Sequence, residues 1–350
     1  MKVKAKILTG LLGRVLVTLP IAGFFSSCEL VRDDLAECPS PSLELRFVYD
    51  YNMEFANAFH KQVDCLSAYF FDADGQLVAV EKVTDTALLA DENYRMKPQL
   101  PEGDYHVVAY GGMECEHASF SPTSMTEGSL LNDLHVQLNP ACLIDNERFR
   151  LHNHYYGAAD FTVSLKEDTR ATVEMMRNTN SIQVALQHTN GTPVDCNDFI
   201  FEITDDNNDF DHENSLLPTG EITYKPWNTD NRTTGTTGEP DNSDWSAAVA
   251  QFTTSRLVKP TAANNKQTAS RLHVRRVKDG ETVFSIPLVN YILLFKHDNS
   301  GAGLDGMSDQ EYLDRENAWN FVFFLDQEGM WIRSRLIIND WEVRMNGADV

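Results

Sequence analysis

Three groups of residues in this chain have types and spacings that chemistry could use, and they carry unequal weight. Cys28 follows the small residues Ser26 and Ser27, an apolar stretch from Ile7 to Phe25, and a basic start at Lys2, Lys4 and Lys6. That order is a secretory signal. A small pair directly before a cysteine is its lipoprotein form, in which the thiol takes a diacylglycerol and the peptide is cut just before it. Arg14 and Pro20 break the apolar run, leaving roughly a dozen uninterrupted residues where a spanning helix needs about 20. Cys28 is therefore expected to carry lipid, palmitate among its acyl chains. The second group, His152-Asn153-His154, would project two imidazoles to one face of a strand, but no third metal ligand stands nearby in sequence. The third, Asp205-Asp206-Asn207-Asn208-Asp209-Phe210-Asp211, invites calcium. Counted from Asp205, however, an EF-hand's glycine position holds Phe210 and its bidentate glutamate position holds Leu216. A solvated acidic loop is the better reading. No nucleophile elbow, P-loop or dinucleotide fingerprint occurs. The expectation is no catalytic residue, no metal and no cofactor.

Removing 1–27 takes away Lys2, Lys4, Lys6 and Arg14 and moves the net charge from −23 to −27. Such a surface repels phosphate backbones and anionic head groups, which excludes nucleic acid as a partner and assigns membrane attachment to the lipid. Five further cysteines remain, at 38, 65, 115, 142 and 196, without Cys-x-x-Cys spacing. Export permits disulfides. Cys65 lies in an apolar, strand-like run and reads as a buried free thiol. Cys38 and Cys142 each sit beside a proline-bearing loop and could bridge; the connectivity stays open.

The elements that must position these residues read as strands. After an acidic, proline-bearing tether over 28–42, Leu43, Leu45, Phe47 and Tyr49 alternate with Glu44, Arg46, Val48 and Asp50. Asn52 is placed to cap a short helix bearing Phe55, Phe59 and Val63. Strands follow around the turns Asp72–Gly75, Asp279-Gly280 and Asp326–Gly329. Ser308 and Glu311 form a capping box for a helix carrying Tyr312, Leu313 and Trp319. Residues 227–246 are polar, of low complexity, and expected to be a mobile insertion. The segments 69–77 and 323–331 share an aromatic strand, an acidic turn ending in Gly and a following strand. Many short strands and few helices give an all-β class with two antiparallel sandwiches, divided as 43–168 and 169–350.

Two segments point to a family. Asp34-Leu35-Ala36-Glu37-Cys38-Pro39, with Leu45-Arg46-Phe47-Val48-Tyr49-Asp50-Tyr51-Asn52-Met53, resembles the start of the FimB-type minor-fimbrium anchoring subunits of Bacteroidetes-like bacteria. Phe59–Asp64 running into Phe70–Gly75 fits as well, as does the ending Ile337-Ile338-Asn339-Asp340-Trp341-Glu342-Val343. Leu100-Pro101-Glu102-Gly103-Asp104-Tyr105 is similar to the Gly-x-Tyr strand start of transthyretin-like sandwiches. The resemblance implies two tandem transthyretin-like domains in an outer-membrane lipoprotein facing the cell surface. It further implies fimbrial structural subunits as partners, a role at the base of the fimbrium where polymerisation ends, and Leu43, Leu45, Phe47 and Tyr49 as the candidate polymerisation strand. The competing reading is a surface lipoprotein that binds glycan or another ligand, with Trp227 and Trp245 as its aromatic platform.

Overall fold

Strands form where apolar residues alternate, and they end at the Asp and Gly turns. The structure, a computed structural model, describes residues 41–217, 219–234, 245–261, 270–298, 304, 306–339 and 341–343. The signal, Cys28, Cys38, the tether up to residue 40, and 235–244 of the polar insertion lie outside the described residues. In chain order the first half gives β1 (Leu43–Val48), α1 (Phe59–Gln62), β2 (Leu66–Asp72), β3 (Leu77–Val83), α2 (Thr86–Leu89), β4 (Gly103–Gly111), β5 (Phe120–Pro122), β6 (Val136–Leu138), α3 (Ala141–Ile144), β7 (Tyr155–Val163) and β8 (Thr169–Arg177). The second half continues with β9 (Thr179–His188), β10 (Phe199–Asp205), β11 (Asp209–Phe210), β12 (Ile222–Tyr224), β13 (Asn228–Thr234), β14 (Trp245–Ser255), β15 (Arg271–Arg276) and β16 (Thr282–Pro287). It closes on α4 (Leu288–Asp298), α5 (Asp309–Arg315), β17 (Ala318–Leu325), β18 (Trp331–Ile338) and β19 (Trp341–Val343).

The fold is all-β with a few short helices. One six-stranded sheet has the order β1-β8-β7-β4-β2-β3 and the other β13-β14-β9-β17-β18-β19. A four-stranded sheet, β12-β10-β15-β16, faces the second of these, with Phe284 stacked on Phe323 at 4.2 Å between ring centroids. Among the described residues the pairing is antiparallel except in two ladders, β1 with β8 and β9 with β17, which are parallel. The sheets are therefore mixed where uniformly antiparallel sandwiches were expected. A parallel pair needs a long crossover, and here most of each half of the chain supplies it.

β2, an inner strand of the first sheet, is buried on both faces. Leu66, Ala68 and Phe70 pack with Leu45, Phe47 and Phe59 on one side. Tyr69 and Phe71 point to the other side, into a core continuous with Ile182, Val184, Phe321 and Phe323 of the second sheet. This is why residues 66–71 are apolar but for Ser67, which is itself buried. β8 pairs with β1 and β7, so the chain leaves the first sheet at Asn178, between β8 and β9, and not at 168/169. Ser42–Val350 is one compact unit.

The two acidic turns repeat each other in detail. Asp72 Oδ1 accepts from the Asp74 and Gln76 amides, and Asp326 Oδ1 from the Glu328 and Met330 amides. Gly75 and Gly329 both take positive φ, as such turns require. Ser308 accepts from the Glu311 amide at 3.1 Å and starts α5, but Trp319 lies beyond the helix, in β17. The polar insertion is half strand: β13 pairs with β14 from Asn228↔Gln251 to Thr234↔Trp245. Thr-rich sequence reads as loop, yet a ladder needs only backbone groups, and a polar edge strand resists further pairing.

A buried ion pair ties α5 to this frame. Arg256 Nε and Nη2 donate to Asp314 Oδ1 and Oδ2 at 2.7 and 2.8 Å, and Nη1 donates to the Asn214 carbonyl at 2.8 Å. Asp314 is only 5% exposed, so its loss leaves Arg256 without a counter-charge in a dry place. Asp314→Ala is expected to lower the unfolding free energy by about 3–5 kcal/mol in urea titration. A loss below about 1 kcal/mol would show that water screens the pair.

Candidate functional site

β1 is an edge strand, joined to β8 in parallel register from Leu43↔Thr169 to Val48↔Glu174. Leu43, Leu45, Phe47 and Tyr49 are all buried, as their alternation predicts. Phe47 stacks on Phe59 at 5.7 Å, and Tyr49 meets Tyr155 edge-on at 5.1 Å. The outer edge is not free either: Leu45 and Met96 exchange both backbone hydrogen bonds, at 2.9 and 3.0 Å. Past β1 the chain turns back. Asn52 does not cap a helix; its side chain donates to the Tyr49 and Ala56 carbonyls and accepts from the Glu54 amide, which holds a turn with Phe55 at positive φ. The helix therefore starts only at Phe59.

The far end of the chain clamps this segment. Arg315 lies over the Tyr51 ring at 4.0 Å and the Phe55 ring at 4.6 Å, and is held by Glu311 at 2.8 Å. Asn317 Nδ2 donates to Tyr49 Oη at 3.3 Å. The candidate polymerisation strand is thus fixed by its core face, by both edges, and by two residues more than 260 positions away.

A second cluster forms where three neighbouring strands end together. Leu66 pairs with Gly111 and Gly111 with Tyr155. This register brings Asp64 and Cys65 before β2, Cys115 after β4, and His152 before β7 to one corner. Gly112 makes the approach feasible: its φ is +74°, its amide donates to the Cys65 carbonyl at 3.0 Å, and a Cβ there would lie 1.7 Å from the Asn153 carbonyl oxygen. Cys65 and Cys115 are joined as a disulfide, which corrects the expectation of a free thiol at Cys65. Burial alone does not distinguish the two states, and the partner is fifty residues away. Cys142 and Cys196 are buried free thiols, and Cys38 lies outside the described residues.

His152 Nε2 lies 3.0 Å from Asp64 Oδ1 and 3.9 Å from Cys115 Sγ. The His152 hydrogen bond holds the Asp64 carboxyl below the usual carboxylate range. One ligand atom from each of Asp64, Cys65, Cys115 and His152 falls within 4.8 Å of all the others, the one such group among the described residues. The set is not a nucleophilic triad. In a triad the acid and the nucleophile sit on opposite ring nitrogens, whereas here both face Nε2. The side chains that meet His152 here come from residues 37 and 88 positions away, beyond the reach of any local spacing.

His154 does not join it. Its ring lies flat on Phe120 at 4.5 Å and Tyr110 at 5.7 Å, wholly buried. The two imidazoles therefore serve different places. The acidic run 205–211 is structural too: Asp209 accepts from Gln137 at 2.8 Å, and Asp211 Oδ1 accepts from the Glu213 and Ser215 amides at 2.9 and 2.8 Å. No calcium-like convergence of three ligands occurs there among the described residues. Trp227 is covered by the Arg150 guanidinium at 4.8 Å, and the Trp245 side chain lies outside the described residues.

With this geometry established, comparison with known proteins decides the family. Residues 35–347 match the family described as Fimbrillin-A associated anchor proteins Mfa1 and Mfa2. The chain belongs to that family. It is a family of structural fimbrial anchors, not of enzymes. Among solved structures, a candidate adhesin from Bacteroides thetaiotaomicron is 44% identical, with a TM-score of 0.81 over 89% of this chain and 100% of that one. A candidate polysaccharide-binding protein from the same species is 28% identical, with a TM-score of 0.72 over 88% and 99%. The fimbrial anchor protein Mfa2 from Porphyromonas gingivalis shares the fold at 14% identity and TM-score 0.62, over 88% and 100%. No curated protein matches the chain. No helix among the described residues is long and apolar enough to cross a membrane.

The buried imidazole gives a pH signature. Desolvation lowers the His154 pKa from 6.5 to about 3. The unfolded chain therefore takes up a proton between those values and the folded chain does not. Stability from this residue is complete above pH 6.5 and is lost as pH falls toward 3, at about 1.4 kcal/mol per unit. In His154→Phe, urea unfolding free energy measured at pH 7, 5.5 and 4.5 should fall less steeply than in wild type by about that amount. Parallel pH dependences would show that His154 takes up its proton in the folded state.

Proposed function

We propose that this chain is a lipid-anchored outer-membrane subunit that holds the base of a fimbrium and ends its polymerisation. The observation that carries the reading is the fixation of β1. A subunit that joins a polymer by strand exchange vacates a groove, which a neighbour's strand fills through main-chain hydrogen bonds and alternate side-chain pockets. Here the strand that would have to leave begins about fifteen residues after Cys28, the proposed lipid carrier. Cutting behind β1 would sever the protein from its anchor. It would also expose the Leu45, Phe47 and Tyr49 positions at once, and each such large apolar residue contributes about 1.5–3 kcal/mol by its burial. β1 therefore stays in place, and fimbrial structural subunits are met through another surface. The glycan-binding alternative gains little, since its described platform residue, Trp227, is already covered by Arg150.

Protein recovered from assembled fimbriae, analysed for its N-terminus and labelled with a fatty acid, tests both halves of the proposal. Lipid-bearing material beginning at Cys28 is the expected result, with the label absent from Cys28→Ala. Unlipidated material beginning near Phe47 would show that β1 is lost and that the terminator reading is wrong. Label retained in Cys28→Ala would overturn the lipid assignment.

A further inference from the structure

We propose that Asp64, Cys65, Cys115 and His152 form a redox-gated metal site that binds one zinc-type divalent ion when the Cys65–Cys115 bond is reduced. A disulfide needs only its two cysteines. It does not need an imidazole nitrogen 3.9 Å from one sulfur with a carboxylate oxygen 3.0 Å from that same nitrogen. Four ligand atoms within 4.8 Å of one another already have the compactness of a tetrahedral shell. Around zinc, with bonds of about 2.0–2.3 Å, ligand atoms lie about 3.3–3.8 Å apart; once the S–S bond is broken the two sulfurs separate to that spacing, and the widest pairs of the group close by about 1–1.5 Å. Two thiolates, one imidazole and one carboxylate favour zinc over calcium or magnesium, which prefer all-oxygen shells.

The scaffold is rigid where it must be. Asp64 and Cys65 directly precede β2, and Cys115 and His152 lie in the short segments that leave β4 and enter β7, strands in fixed register with β2 and each other. Gly112 locks the 112–115 loop against residue 153, and the His152 amide donates to Ser119 Oγ at 2.8 Å. Cys65 is buried, while Cys115, His152 and Asp64 are part-exposed, so a reductant and an ion can enter from that side. Cys142 and Cys196 are buried elsewhere and belong to no such group.

The chemistry balances with a dithiol reductant. It supplies two electrons and two protons to the S–S bond, giving two protein thiols and its own disulfide. Metal binding then displaces both thiol protons to solvent, while His152 coordinates as neutral imidazole through Nε2 and Asp64 as carboxylate. The ion replaces the covalent staple, so the ends of β2, β4 and β7 remain tied in either redox state. This inference does not rest on the fimbrial reading.

The test uses the full mature chain, oxidised or reduced with a phosphine, titrated with Co²⁺ and then Zn²⁺, with circular dichroism recording the fold. The expected result is one equivalent of Co²⁺ per reduced chain, with a thiolate-to-cobalt absorption band, displaced by Zn²⁺ and absent before reduction. His152→Ala should weaken binding about 10–100-fold, Cys65→Ser/Cys115→Ser should abolish the band, and Cys142→Ser/Cys196→Ser should leave it intact. If reduction unfolds the chain, zinc should restore the fold; failure to do so would overturn the proposal. So would a folded, reduced chain without the band, or a band that survives Cys65→Ser/Cys115→Ser.

Discussion

The passage of one polypeptide from the first sheet to the second, at Arg177-Asn178, is the constraint on which the rest of the structure depends. Asn178 is fully buried there. A buried amide must find partners for every polar atom or cost the fold its desolvation. Asn178 and Asn214 donate to each other at 2.7 and 3.0 Å, and the Asn178 amide donates to the His154 carbonyl at 2.7 Å. Arg177 spreads three bonds around this point, to Thr179 Oγ1, Asn317 Oδ1 and Asn153 Oδ1, at 3.1, 3.1 and 2.7 Å. Each of those partners leads somewhere. Asn317 reaches Tyr49 behind β1, Asn153 adjoins His152 of the cysteine corner, and Asn214 is held by Arg256 from the α5 side. The crossing point thus sets β1, the cysteine corner and the C-terminal helix in one frame.

What could be read in the sequence is what is local. Asp72 with Gly75 and Asp326 with Gly329 announce their turns because a carboxylate accepting nearby amides, followed by a residue free to take positive φ, is chemistry complete within five residues. Ser308 with Glu311 is legible for the same reason. Alternation identifies β1 because its core face is apolar and its other face is not. Where the structure departs from the sequence pattern, the cause is a competing local bond or a partner far along the chain. Asn52 suits a helix cap by type, but its side chain bonds Tyr49, Glu54 and Ala56 and closes a turn instead. β13 is polar along its length and is a strand because β14 offers it a backbone edge. Cys65 looks like any buried thiol until the register of β2 with β4 brings Cys115 beside it.

The pair His152 and His154 shows how one spacing can serve two purposes. Two residues apart, the imidazoles diverge because the backbone between them sits where the 112–115 loop crosses. His154 is taken into the core, stacked on Phe120, where desolvation by burial keeps it neutral. His152 stays partly exposed, with its Nε2 3.0 Å from Asp64 Oδ1. Burial, not sequence spacing, decides which histidine keeps its chemistry.

On the anchor reading, the orientation of β1 has mechanical meaning. A pull from a tether at the N-terminal end of β1, directed along the strand, loads the parallel ladder with β8 in shear. The six register pairs from Leu43↔Thr169 to Val48↔Glu174 then resist together, not one after another as in an unzipping hairpin. β8 passes that load through Arg177-Asn178 into β9, which lies at the centre of the second sheet between β14 and β17. A strand held only at an exposed edge would peel. One bonded on both sides, stacked through Phe47 and Tyr49, and pinned by Asn317 has to be extracted whole, and its removal would open the core that the crossing point depends on. The features that make β1 unsuited to strand exchange are therefore the same ones that suit it to bear a tether.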